Sequence, residues 1–197
     1  MDKQVIIFVE GDTDEVFFTQ LLQYYSGEST TPLLPCKICN LRGVTRYSTK
    51  LQAKLKNDFV PAAKQKNVSI EAVCCSYDTD VFDACNPLIV NWASLRRSVL
   101  GMGVKGFIQL GIRSSIEDWI LCDLIGICAF LKLKEIPKSL KGVNGNEKLA
   151  YLYTKVNKVY QKGYQTKALI NALDMSVIRE KNKSVLKNLE IILGVSL

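Results

Sequence analysis

Apolar positions along the first two thirds of the chain switch between two periods. Val5-Ile6-Ile7-Phe8-Val9 is an unbroken apolar run, the pattern of a strand covered on both faces. Directly after it, Thr13 to Tyr24 places Val16, Phe17, Leu21 and Tyr24 on one face at helical spacing. The alternation then repeats. The pattern predicts strands over Gln4–Val9, Cys36–Leu41, Val68–Tyr77 and Gly106–Leu110. Between and after them it predicts helices over Thr13–Tyr24, Tyr47–Gln65, Pro87–Leu100 and Ile116–Leu131. Pro61 is expected to disturb the end of the second helix, and Pro87 to open the third. Gly27 to Pro35, rich in small and turn residues, reads as a loop. Strand and helix alternating in this order imply an α/β fold. Its core is a parallel sheet of about four strands flanked by helices and joined by right-handed crossovers.

Beyond Leu131 the pattern changes. A Lys/Gly/Pro-containing connector, Lys134–Gly145, leads into helical segments over Glu147–Tyr160, Thr166–Ala172 and Ser184–Leu193. There is no internal repeat, low-complexity tract or long flexible linker. The expected organisation is an α/β catalytic domain over residues 1–131 and a basic helical extension over 132–197 packed on it.

Charge follows the same division. Residues 1–131 carry 13 Lys+Arg against 14 Asp+Glu, and residues 132–197 carry 13 against 5. A basic third of this kind offers a surface to phosphate; it is equally what a solvated lysine-rich helical face looks like. The apolar stretch Trp119–Leu131 is too short to span a bilayer and contains Asp123. The run Val5–Val9 meets Glu10 too soon for a signal peptide, so a cytoplasmic protein without membrane contact is expected.

Composition narrows the chemistry. The chain has no histidine. Catalysis through Ser-His-Asp or Cys-His, and any metal site needing imidazole, is excluded. Acid–base work falls to Asp, Glu, Lys, Tyr, Cys or metal-bound water. The seven cysteines do not make a disulfide framework in a chain of this size and expected compartment. Cys36-Lys37-Ile38-Cys39 has zinc-like spacing but no second pair to complete a site, and Cys74 and Cys75 read as small apolar residues on opposite faces of a strand.

The carboxylates stand out against this background. The first strand ends in Glu10-Gly11-Asp12-Thr13-Asp14-Glu15, and the third in Asp78-Thr79-Asp80, with Asp83 close behind. Parallel strands bring such ends to one sheet edge, where open α/β sheets bind ligands. Clustered carboxylates repel one another, and a hard divalent cation relieves that repulsion through oxygen ligands. Helix capping also accounts for part of the first cluster, with Asp12 as N-cap, Glu15 three residues on, and Asp14 favoured by the helix dipole. It does not account for Glu10. Gly11 would allow a tight turn. In the second cluster strand alternation puts Asp78 and Asp80 on one side, although an Asp-rich loop bonding to nearby amides has the same composition. Ser114-Ser115-Ile116-Glu117-Asp118-Trp119 opens a helix, and either Ser114 with Glu117 or Ser115 with Asp118 forms a capping box.

Taken together, Glu10-Gly11-x-Thr13-Asp14-x-x-Phe17-Phe18 and Asp78-x-Asp80 after an apolar strand resemble the two motifs of the TOPRIM domain, shared by topoisomerases, primases and small nucleases. Ser115-Ile116-Glu117-Asp118-Trp119 is similar to a segment of stand-alone TOPRIM proteins of the OLD and RloB type, often linked to phage defence or mobile elements. The resemblance spans Gln4–Leu131. It implies Mg²⁺, or Mn²⁺, gathered by Glu10, Asp78 and Asp80, with Asp14 and Asp83 as further acids and Glu117 as a second-metal ligand. It implies hydrolysis of DNA or RNA, with Glu10 as general base. A lysine of the basic third, Lys148 or Lys167, would neutralise charge on the phosphate. Tyr151, Tyr153, Tyr160 and Tyr164 would stack on bases or pack in the core. The resemblance also implies a protein partner such as an ATPase. Two other readings fit the same residues. One is a haloacid-dehalogenase-like phosphatase with Asp78 as nucleophile. The other is a non-catalytic module that binds nucleic acid or a partner.

Overall fold

A computed structural model describes residues 2–80 and 89–197. Asp83, Cys85 and Pro87 lie outside the described residues. The first half holds β1 (Asp2–Val9), α1 (Asp12–Glu28), β2 (Cys36–Asn40), α2 (Lys50–Lys54), α3 (Val60–Gln65) and β3 (Val68–Asp78). After these come α4 (Trp92–Gly101), β4 (Phe107–Ile112), α5 (Ile116–Ile120) and α6 (Leu124–Leu131). The C-terminal third adds α7 (Gly145–Thr154), α8 (Lys167–Asn171), α9 (Met175–Lys181) and α10 (Lys183–Leu193).

The four strands form one parallel sheet in the order β2-β1-β3-β4. The α/β architecture is therefore the one the hydrophobic pattern predicts. From β1 the chain moves outward to β2, then returns to place β3 on the other side of β1. That reversal lies between β1 and β3, where Phe8 pairs with Cys75. A crevice opens at such a switch point, outside the carboxyl ends of the strands.

Both sheet faces are covered, which explains the unbroken apolar run of β1. Val5, Ile7, Val9, Ala72, Cys74 and Leu110 face one core, and Ile6, Phe8, Val73, Cys75 and Phe107 face the other. Cys74 and Cys75 thus do point to opposite faces. The first core also contains Leu149, Leu152, Ile170, Ile178, Leu186 and Leu193, so the C-terminal helices close the side of the sheet that carries α1. The last residues pin the loop before β2, with the Leu34 amide donating to the Leu193 carbonyl at 2.9 Å.

Besides the helix expected over Glu147–Tyr160, which ends at Thr154, three elements depart from the expected pattern. The helix carrying Pro61 does not end there: a π-helical turn, Leu55–Phe59, joins α2 to α3, and Pro61 sits in the first turn of α3. A proline ring clashes with the carbonyl four residues back in a regular helix, and a widened turn relieves that clash. The apolar helix expected over Ile116–Leu131 is broken at Asp123, which is buried. Its carboxylate accepts from the Gly126 amide at 2.9 Å, restarting the helix, and from the Asp174 amide at 2.8 Å, holding the start of α9. Helix α9 itself went unpredicted. Its cue was local: Asp174 caps the Ser176 amide at 2.8 Å. Among the described residues, no helix is long and apolar enough to cross a membrane.

Candidate active site

The switch-point crevice has a volume of about 350 Å³, and its lining includes Glu10, Asp14, Asp78, Glu117 and Lys162. Each acid arrives there by a different local route.

Glu10 directly follows β1, and Asp78 is the last residue of β3. Tyr47, fully buried, fixes those ends: its hydroxyl stands between the carbonyls of Phe8 and Ser76, each two residues before one of the acids. The Glu10 carbonyl also accepts from the Gly43 amide at 2.8 Å.

Asp14 lies in the first turn of α1, buried against the crevice. The expected capping arrangement of this helix is not formed. Gly11, not Asp12, is the N-cap, and it makes no side-chain cap. Gly11 has φ of −146° and ψ of 177°, extended backbone that any residue adopts. Asp12 and Glu15 turn instead to Asn40, whose amide donates to them at 2.7 and 3.2 Å. A better partner on β2 replaced the cap, so Asp14 is left for the crevice.

At the start of α5 the capping alternatives separate. Ser115 is the N-cap, and its amide donates to the Asp118 carboxylate at 3.2 Å. Asp118 closes the box, which frees Glu117. That side chain is 1 % exposed. The same helix start holds Asp78, whose Oδ1 accepts from the Ile116 amide at 3.1 Å.

Asp80 behaves differently from its neighbour. Strand β3 ends at Asp78, and the chain turns helical at Asp80, so the two-residue alternation does not reach it. Asp80 is exposed and lies off the crevice lining. Its charge still raises Glu10 and Asp78.

The lysine at the site is one the sequence did not single out. Lys148 and Lys167 do not line the crevice, and Lys167 faces a separate hollow beside Tyr164. Lys162 lines it, with Nζ 3.2 Å from Glu117 Oε1. Its neighbour Gly163 has φ of +86° and donates its amide to Thr13 Oγ1 at 2.8 Å. That left-handed turn docks the Lys162 loop on α1. The only cue was a Lys-Gly pair in a basic region, which has many such lysines. Tyr160, nine-tenths buried, donates to Glu117 Oε1 at 3.4 Å and packs edge-on against Tyr153. It packs in the core behind Glu117 rather than offering a face for stacking. Tyr164 is exposed and bonds Glu15 at 2.8 Å.

Electrostatically the crevice is strained by its own acids. Glu10 is pushed up to about 8 by burial first, then by the charges of Asp78 and Asp80, against the opposing Asp78 amide. Asp78 is likewise raised to about 8, by burial and then by Asp14, Glu117 and Asp80, with Lys162 opposing. Asp14 rises to about 7 through burial and the Glu10 charge. Glu10 Oε1, Asp14 Oδ1 and Glu117 Oε2 are buried with no hydrogen-bond partner among the described residues. Buried polar atoms are ordinarily paired. Orphaned oxygens on neighbouring carboxylates therefore fit a hard divalent cation as the missing partner. The same side chains are not drawn into a ready-made metal cage: no cluster of three or more His, Cys, Asp or Glu with that geometry occurs among the described residues.

The wall behind Glu117 depends on a close approach. Helix α7 begins against α5, and a Cβ on Gly145 would stand 2.7 Å from the Asp118 amide nitrogen. Gly145→Ala should therefore destabilise the fold by about 1–3 kcal/mol, as overpacking against backbone does. Chemical denaturation measures it, and an unchanged midpoint would mean α7 shifts freely.

No family model matches the chain, and no curated protein matches it. Among solved structures, the chain is similar to the C-terminal region of the Burkholderia pseudomallei OLD protein. The identity is 16%, covering 93% of this chain and 97% of that one, with a TM-score of 0.42. A likeness at that level carries no functional argument; the geometry of the crevice does.

Proposed function

We propose that the protein is a divalent-metal-dependent phosphodiesterase of the TOPRIM type, acting on DNA or RNA. The observation that carries this reading is the set of four acids, Glu10, Asp14, Asp78 and Glu117, lining one switch-point crevice with three orphaned oxygens. Those four side chains would hold one or two Mg²⁺ or Mn²⁺ ions, with Asp80 at the rim. Bound there, the metal would supply Lewis-acid stabilisation of a phosphoryl oxygen and a more acidic water. The chain's own residues do the rest. Glu10, deprotonated once a cation offsets the repulsion of its neighbours, takes the proton of an attacking water. Lys162 turns from Glu117 toward a non-bridging phosphate oxygen and neutralises its developing charge. The Ile116 amide keeps Asp78 aimed into the crevice.

The test is cleavage of single- and double-stranded DNA and RNA with Mg²⁺, with Mn²⁺ and with chelator. Metal-dependent cleavage is expected, and Lys162→Gln should lower kcat on the order of 10²-fold while changing KM little. Hydrolysis of small phosphate esters with phosphate trapped on Asp78, and no polymer cleavage, would replace this reading with the phosphatase one. Metal-independent binding without hydrolysis of either substrate class would leave a binding module in the OLD-like setting of phage defence, with an ATPase as its natural kind of partner.

A further inference from the structure

A second cleft, of about 740 Å³, lies on the C-terminal third. Its lining includes Lys132, Lys134, Lys138, Lys155 and Tyr151, with Glu135 the one acid. The four lysines are exposed, and no ion pair engages any of them among the described residues. Lys155 Nζ lies over the Tyr151 ring, 4.8 Å from its centre. Converging lysines that keep their charge unneutralised, at the cost of mutual repulsion, make a standing field for a polyanion.

The cleft is tied to the carboxylate crevice by two routes. Helix α7 starts against Asp118, beside Glu117, and ends at the cleft with Tyr151 and Lys155. Its ten-residue length spans about 15 Å. The chain then returns from Lys155 through exposed Lys158 to Lys162, whose amine pairs with Glu117 at 3.2 Å. Lysines 155, 158 and 162 therefore mark a path between the two hollows.

We propose that this cleft binds the phosphate backbone of single-stranded nucleic acid a few nucleotides away from the scissile position. The volume takes a few nucleotides and not a duplex, and a tyrosine among lysines is the composition of a strand-binding groove. The proposal rests on the nucleic-acid reading of the crevice only for the identity of the polyanion.

The experiment is a salt titration of binding, by fluorescence anisotropy in chelator, of labelled single-stranded RNA and DNA. It compares wild type with Lys134→Gln/Lys138→Gln/Lys155→Gln. A control of equal charge change replaces exposed Lys56, Lys64 and Lys66 by Gln. Each single-strand phosphate contact contributes about 0.7 to the log–log salt slope. The cleft variant should lose about two units of slope and, near 0.1 M salt, on the order of 100-fold in affinity, while the control changes little. Equal losses in both variants, no loss in the cleft variant, or equally strong competition by inorganic phosphate would each overturn the proposal. All three proteins should melt within a degree or so of one another, since every replaced side chain is exposed; a cleft variant that melts lower is replaced by the three single variants, whose slopes should each fall by about 0.7. Cleavage with Mn²⁺ in the same preparations separates the two readings. Cleft-dependent binding without cleavage sinks the phosphodiesterase reading alone, and cleavage with cleft-independent binding sinks this one alone.

Discussion

Asp78→Asn should abolish metal-dependent cleavage, by on the order of 10³-fold or more, while leaving nucleic-acid binding within a few-fold of wild type. An amide is a poor ligand for a hard cation, yet it can still accept the Ile116 amide hydrogen bond through its carbonyl oxygen, so the local fold survives. Glu10→Gln should match it, because the amide removes both a ligand for the cation and the carboxylate that would take the proton. Glu117→Gln should also lose activity, and should release Lys162 from its ion pair. Asp80→Asn should cost less than Asp78→Asn, since Asp80 is exposed and off the crevice lining. The measurement is single-turnover cleavage beside anisotropy on the same oligonucleotide. Full activity in Asp78→Asn would remove the crevice from the chemistry, and a parallel loss of binding would make Asp78 structural.

The second large effect is on stability. Without metal, the metal-free protein should lose stability as pH rises from about 4 to about 8. The sign follows from proton counts. The unfolded chain releases its carboxyl protons near pH 4. In the folded state Glu10 and Asp78 keep theirs to about 8, and Asp14 to about 7. Across that window the folded state binds more protons, so stability falls with rising pH and levels off above it. Discounted for solvent reaching the crevice, the loss is on the order of 3 kcal/mol, roughly 6–12 °C in melting temperature. Glu71 and Glu190, whose carboxyls are held low by Lys105 and Arg179 respectively, act with the opposite sign and below this window. Melting in chelator at pH 5 and pH 8.5 checks the prediction. The Glu10→Gln/Asp78→Asn double variant should flatten the difference. Mn²⁺ should stabilise wild type more at pH 8.5 than at pH 5, because at low pH it must displace protons. An equal pH slope in the double variant would place the titration elsewhere.

The strands were legible because β1 and β3 are buried on both faces, which leaves short apolar runs such as Val5–Val9 bounded by acidic and turn residues. Parallel alternation then required their carboxyl ends to share an edge, and the strand order, with β3 beside β1, brings Glu10 and Asp78 together. The break at Asp123 was not legible, because the Gly126 amide and the Asp174 amide, far along the chain, both claim that carboxylate.

The division of labour among the acids was a tertiary decision. Sequence spacing let Ser114 pair with Glu117 or Ser115 with Asp118, and locally the glutamate box is the standard one. Packing chose Asp118, and left Glu117 buried with an open oxygen. Asp12 could have capped α1, but the amide of Asn40, 28 residues away on β2, donates to it at 2.7 Å instead. Lys162 is the clearest case. One lysine among 13 Lys+Arg in the last 66 residues has no pattern that marks it. Only the left-handed turn at Gly163, anchored on Thr13 from the far end of the chain, brings its amine to Glu117. Periodicity reports which side of an element faces the core; it cannot report which of several equivalent polar groups meets a partner 150 residues away.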